Sequence, residues 1–174
     1  MRHESGPFEE KSSATIRRAR LLRDAGALLV YLRQTLPQQA DPLPASGPAA
    51  GAKVAAVLAP IYARGGHPYL LFTQRSLALS RHRGEISFPG GSRDASDGTL
   101  RHTALREASE EIGLAPSRIE LLGALPSVFT SVSNYLIVPY AGWLGEGMPE
   151  LRVNAAEVAE VIEAPLAALA DSAI

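Results

Sequence analysis

The stretch from Phe88 to Leu114 constrains this chain more than any other. It reads Phe88-Pro89-Gly90-Gly91, then an acid at Asp97, then Leu105-Arg106-Glu107-Ala108-Ser109-Glu110-Glu111-Ile112-Gly113-Leu114. A glycine-rich turn opens it, a helix carrying three close glutamates follows, and a glycine stops that helix. Residues at i, i+3 and i+4 share a helical face, so Glu107, Glu110 and Glu111 point toward one patch of space. Carboxylates gathered there repel one another unless a cation sits between them, and their hard oxygens suit Mg²⁺ or Mn²⁺ rather than zinc or copper. Glu-rich helix faces are commonly just solvated; the surroundings set this one apart. Leu100, Ala104, Leu105, Ala108 and Ile112 recur at helical spacing, which gives the helix a core face with the acids beside it. Arg106, four residues before Glu110, can hold that carboxylate. Asp97 reads as the N-cap of a helix starting near Gly98, and Gly113 as its stop.

Gly91, five residues, Asp97 and then Arg106-Glu107-Ala108-x-Glu110-Glu111-x-Gly113-Leu114 resemble the Nudix box, the signature of hydrolases that cleave nucleoside diphosphates linked to another group. The first acid is Asp97 where the family usually has Glu, and one extra residue separates it from Arg106. That extra residue is similar to the variant box of the coenzyme A pyrophosphatase branch. Upstream, Leu71-Phe72-Thr73-Gln74-Arg75-Ser76, Gly84 and Phe88-Pro89-Gly90-Gly91 resemble the motif this branch carries before its box, with Ser80 where an arginine is common and Arg81 next to it.

The resemblance implies an α/β (α+β) fold, a Nudix-type α/β/α sandwich with a mixed β-sheet, the Glu107 helix lining the cleft. It implies Mg²⁺ or Mn²⁺ held by Glu107, Glu110 and Glu111 with the backbone near Gly91. Arg106 would orient the carboxylates, and Glu110 or Glu157 would accept a proton from the attacking water. Gly90, Gly91 and Arg75, with Arg81 as a neighbour, would meet the substrate phosphates. Coenzyme A would then yield 4′-phosphopantetheine and adenosine 3′,5′-bisphosphate. Two other readings stand beside this one: a Nudix hydrolase of another nucleoside diphosphate derivative, such as ADP-ribose or a dinucleotide, and a non-catalytic Nudix-fold nucleotide-binding module. The three intact helix glutamates weigh against the last.

The 174 residues suit one domain with an adequate core, at 46% hydrophobic and 20% charged. Seventeen Lys and Arg against 18 acids give a net charge of −1, which offers nucleic acid no electrostatic footing. The absence of cysteine excludes disulfides and thiolate chemistry. The acidic, polar start does not look like a transit or signal peptide, and no apolar run approaches the ~20 residues that would cross a bilayer. The expectation is a cytoplasmic enzyme acting on a small molecule.

Three segments are expected. Residues 1–36 form a tail and one packing helix over Ile16 to Leu36, its leucines docked on the domain and its arginines outward. The alternative for that helix is a basic membrane-surface or phosphate-binding role. Residues 37–52, rich in Pro and Ala, form a linker, and 53–174 the hydrolase domain. Within the last, Val54–Ala63 and Tyr69–Thr73 read as a hairpin around Arg64-Gly65-Gly66-His67-Pro68, with His67 solvent-exposed rather than catalytic. Gln74 to Ser87 is irregular. Its Arg75, Arg81 and Arg83 would be phosphate forks in an apolar cleft and unremarkable on an open surface. Ile119–Val128 and Tyr135–Leu144 read as strands joined by the polar loop Phe129–Asn134. Glu157 is expected just before a last strand, followed by a short helix opened by Pro165-Leu166. About ten residues follow Pro165, too few for a further strand and helix, so the domain is expected to close differently from the coenzyme A branch or to be shortened.

Overall fold

A computed structural model describes residues 7–37, 51–78 and 83–170 of the chain. Ser80 and Arg81, and with them the expected Arg81–phosphate contact, lie outside the described residues, as does most of the expected linker.

The Ile16 to Leu36 stretch makes two helices rather than one. α1 runs Pro7–Leu21 and α2 runs Ala25–Thr35. The break falls at Asp24, whose extended backbone and carboxylate, accepting from the Ala27 N–H at 2.9 Å, start a new helix. Gly26 sits inside the first turn of α2. The leucine face docks as expected: Leu28 packs with Leu21, Leu29, Leu32 and Leu36 against Ile61, Leu122 and Ala141 of the sheet.

β1 (Lys53–Arg64) and β2 (His67–Arg75) form the hairpin. Gly65 and Gly66 both have positive φ, +58° and +77°, the combination that a two-residue primed turn requires. His67 is exposed, and its Nδ1 lies 2.7 Å from the Arg23 carbonyl oxygen. Two short strands follow, β3 (Ile86–Ser87) and β4 (Gly90–Ser92), then α3 (Leu100–Ile112). After a single 3₁₀ turn come β5 (Glu120–Ala124), β6 (Val128–Thr130), β7 (Tyr135–Glu146), β8 (Val158–Pro165) and α4 (Leu166–Ala170). The expected strand Ile119–Val128 is thus divided. Its second piece takes Phe129 and Thr130 out of the expected loop, because Pro126, which has no N–H to give a ladder, falls between the two.

The eight strands form one mixed sheet with the path β3-β2-β1-β7-β5; β4 pairs with β1, β6 with β7 and β8 with β2. β1 and β7 are parallel and the other pairs antiparallel. Alternation along β1 and β7 divides the core. Ala56, Leu58, Val138 and Tyr140 face α3, meeting Leu100, Ala104, Ala108 and Ile112, whereas Ile61 and Ala141 face α2. Helices therefore cover both faces, the expected α/β/α sandwich. At the far end Glu163 of β8 accepts from Tyr62 and Arg64 of β1 across β2, and burial, with this carboxylate, raises the Tyr62 phenol well above its usual range.

Pairing between β1 and β2 ends at Ile61↔Leu70. Beyond it β1 takes β4 as partner through Ala55–Val57, and β2 takes β3 through Thr73 and Gln74. The hairpin thus parts toward its open end, and the Gly-Gly strand fills one side of the gap.

Candidate functional site

α3 is bounded by Thr99 and Gly113. Thr99 is the N-cap, its hydroxyl accepting from the His102 N–H at 3.2 Å, and Gly113 ends the helix at φ +71°. Asp97 is not the cap. Its carboxylate is buried and reaches deeper, accepting from the Thr103 hydroxyl at 2.9 Å, the Asp94 N–H at 3.0 Å, and Arg106 Nε and Nη2 at 3.0 and 2.9 Å. A hydroxyl already sits at the cap position, which leaves the longer-reaching acid to hold the arginine. The bonds from Arg106, with those from Asp94 and Thr103, hold the Asp97 carboxyl far below the usual carboxylate range.

Arg106 is the organiser of the helix acids. Its Nη1 donates to Glu107 Oε1 at 2.8 Å and to Glu110 Oε2 at 3.1 Å, and its Nη2 to the Ser92 carbonyl of β4 at 3.3 Å. One planar group thereby ties the loop before α3, the helix and the Gly-Gly strand together.

The helix acids separate by exposure. Glu111 is 3% exposed and Glu110 56%. Glu111 accepts from the Gly90 N–H at 3.2 Å through Oε2, and its Oε1 lies 3.6 Å from Arg75 Nη1. Burial pushes its carboxyl up to about 7; the Gly90 N–H and Arg75 oppose that, while Glu107 and Glu157 reinforce it. Burial also raises Glu107, Arg106 opposes it, and Glu110 and Glu157 add to it. A Cβ on Gly91 would stand 2.6 Å from the Glu107 carboxylate and displace it from this position.

Glu107, Glu111, Glu157 and Arg75 line one cleft of about 530 Å³ with Gly90 and Gly91. Glu110 does not line it; nor does the exposed Arg83. Two features of β8 deliver Glu157. The Ser76 N–H donates to the Glu157 carbonyl at 2.8 Å, and Arg75 pairs with Val158 across a bulge that begins after Gln74↔Glu160. The extra residue returns Val158 to the α3 face, where it packs in the same core as Val161, and leaves Glu157 at the mouth of the strand. Val57, Phe88, Ile137, Tyr135, Thr130 and Ser133 also line the cleft. Thr130 and Ser133 come from the polar stretch Phe129–Asn134, and their hydroxyls lie 2.7 Å apart. The β6–β7 pairing closes the turn that carries them; the polar composition of the stretch allows a substrate-facing loop but does not single out these two residues. Asp97 was visible as an acid, but its bond to Thr103 was hidden because threonine inside a helix looks like filler.

Among the described residues, no three acids or imidazoles stand close enough to enclose a metal ion as they are placed. The donor chemistry nevertheless fits a hard divalent cation. Three carboxylates border one cleft, and the two helix acids are raised chiefly by burial, with smaller contributions from the neighbouring carboxylates and with arginines on two sides opposing. Among the described residues, no helix is long and apolar enough to cross a membrane.

A mixed sheet between helices, with a carboxylate-bearing helix set against a Gly-Gly strand at an open cleft, defines a class of α/β/α proteins built around an acidic cleft. Within that class the chain belongs to the Nudix family: the NUDIX domain model matches residues 52–172. It is 45% identical over 113 residues to an uncharacterized Nudix hydrolase, NudL, of Escherichia coli O1:K1 / APEC, and equally so to that of Shigella boydii serotype 18. The match covers 65% of this chain and 57% of each relative, so the chain matches less than two thirds of their length. Among solved structures it is similar to a Nudix hydrolase from M. smegmatis, RenU, with a TM-score of 0.57 at 22% identity over 69% of this chain and 74% of that one. It is also similar to the NUDIX domain of Shewanella oneidensis NrtR, crystallised with ADP ribose, with a TM-score of 0.52 at 21% identity over 69% and 77%. These two likenesses establish the fold.

Proposed function

We propose that this chain hydrolyses the diphosphate bond of a nucleoside diphosphate derivative, and that coenzyme A and its thioesters are the substrates. One observation carries the reading: Glu107, Glu111, Glu157 and Arg75, from three separate parts of the chain, meet at one cleft beside Gly90 and Gly91. The coenzyme A assignment draws support from β2, whose Leu71–Ser76 segment resembles that branch and ends by turning Arg75 into this cleft.

Glu107 and Glu111, with Glu157 facing them, would hold Mg²⁺ or Mn²⁺, and Glu110 would stand at the outer edge. When bound, such an ion would neutralise the diphosphate oxygens and make water a better nucleophile. Arg106 holds Glu107 and Glu110 in place and stays off the substrate. Arg75 offers donors to a phosphate oxygen. Glu157, half-buried at the mouth of β8 and steadied by the Asn154 amide at 3.2 Å, is placed to take the proton of the attacking water. Attack at phosphorus displaces a phosphomonoester, so that coenzyme A leaves as 4′-phosphopantetheine and adenosine 3′,5′-bisphosphate.

The test is product analysis by mass spectrometry, with Mg²⁺ or Mn²⁺ and with coenzyme A, ADP-ribose and a dinucleotide offered in parallel. Release of 4′-phosphopantetheine faster than cleavage of the others, and its loss in Glu107→Gln, is the expected result. Preferential cleavage of another diphosphate would keep the hydrolase and discard coenzyme A; no cleavage of any would leave a nucleotide-binding module.

A further inference from the structure

We infer that Arg75 couples cation binding to diphosphate binding, because its guanidinium and a divalent cation are rivals for the same oxygen of Glu111. The inference rests on the function proposed above and adds to it a role for Arg75 beyond attracting phosphate.

The two oxygens of Glu111 are engaged differently. Its Oε2 accepts the Gly90 N–H, and its Oε1 faces Arg75 Nη1 at 3.6 Å. At that distance the pair attracts by charge without a hydrogen bond to hold it. The carboxylate is almost fully buried, so two cations at Oε1 would repel strongly, with little water to screen them. Arg75 therefore lowers the affinity of Glu111 for a metal ion.

The guanidinium is also short of partners on its own side. Its Nε is buried and has no hydrogen-bond acceptor among the described residues. The backbone of Arg75 cannot answer this by moving. Its N–H donates to the Glu85 carbonyl at 2.9 Å, its carbonyl accepts from Gly84 at 3.1 Å, and it pairs with Val158 across the bulge. The side chain, 28% exposed on the cleft, is the part free to swing. A diphosphate in the cleft supplies acceptor oxygens in the forked geometry that a guanidinium prefers. Arg75 then turns from Glu111 to phosphate, and Oε1 passes to the cation. Cation and diphosphate each bind better in the other's presence, and the linkage is reciprocal.

Calorimetry tests this as a cycle, with Mn²⁺ as the cation and a methylene-bridged, non-hydrolysable ADP-ribose analogue as the probe, in the wild-type chain and in Arg75→Gln. Chelation of Mn²⁺ by the probe in solution is common to both proteins and cancels in the comparison. Without the probe, Arg75→Gln is expected to bind Mn²⁺ about tenfold tighter than wild type, within the usual range of coupling between sites. The factor by which the probe raises Mn²⁺ affinity is expected to shrink by about the same tenfold. Arg75→Lys, which keeps the charge, is expected to stay near wild type in Mn²⁺ affinity and guards against misfolding of the first variant. A Mn²⁺ gain in Arg75→Gln that is equal with and without the probe is plain charge removal and overturns the inference while the hydrolase survives. So does an unchanged or weaker Mn²⁺ affinity. If neither Mn²⁺ nor the probe binds the wild-type chain, the proposed function itself fails and takes the coupling with it.

Discussion

Arg106 meets Asp97 through two parallel bonds, Nε to Oδ1 at 3.0 Å and Nη2 to Oδ2 at 2.9 Å, with Asp97 buried and Arg106 partly exposed. The fork fixes the arginine that in turn holds Glu107 and Glu110. Asp97→Ala removes the acid and leaves a guanidinium without its main anchor. The expected loss is about 2–3 kcal/mol, below the ~3–5 kcal/mol typical of a fully buried pair because Arg106 keeps some water. Urea unfolding checks it, and a loss under about 0.5 kcal/mol would reduce the pair to a surface contact.

The same pair sets an acid limit. The carboxyl of Asp97 is lower in the folded chain than in the unfolded one, so the folded state binds fewer protons just below pH ~4. Its contribution is complete above that point and erodes as pH falls toward the folded value. Wild type is therefore expected to lose stability more steeply than Asp97→Asn between about pH 4 and pH 2. Parallel acid profiles in a thermal-melt series would contradict this.

Gly90 and Gly91 are adjacent, yet their replacement should fail in different ways. A Cβ on Gly90 would stand 2.5 Å from the Ala56 carbonyl oxygen and the Val57 Cα, both backbone atoms of β1. Gly90→Ala is expected to lower the melting temperature by several degrees, corresponding to about 1–3 kcal/mol of overpacking. A Cβ on Gly91 meets only the end of the Glu107 side chain, which can swing aside. Gly91→Ala should keep its melting temperature and lose about tenfold or more in kcat, read from the same preparations by melts and by product assay.

Glu111→Gln tests the cation site. The amide can still accept the Gly90 N–H, so the fold and its circular dichroism spectrum are expected to persist, but turnover should drop by about 100-fold or more with saturating Mg²⁺. Near-normal turnover would remove Glu111 from the metal assignment.

α2 lies outside the acidic cleft but inside the core. Leu28 is buried against Ile61, Leu122 and Ala141, so Leu28→Ala is expected to cost about 2–3 kcal/mol in urea unfolding. An unaffected midpoint would show that the helix contributes little to the stability of the sheet.

Near-neighbour chemistry made several elements readable in the amino-acid order alone. The spacing of Leu100, Ala104, Ala108 and Ile112 marks α3 and its buried face, Gly113 its end, and Gly65-Gly66 the hairpin turn. These depend on residues a few positions apart, whose geometry the backbone itself sets. Even local signals mislead where neighbouring polar residues compete for one role. Thr99 caps the helix that Asp97 was expected to cap, and Asp24 splits the first helix in two. The sequence named most of the cleft's charged residues, but their meeting came from tertiary structure. Arg75 meets Glu111, Glu157 arrives at the mouth of β8, and Thr130 and Ser133 line the same cleft, because strand pairing and a bulge decide where strand-end side chains point. Register and bulges are settled by burial across the whole sheet, so no local stretch of the sequence contains them.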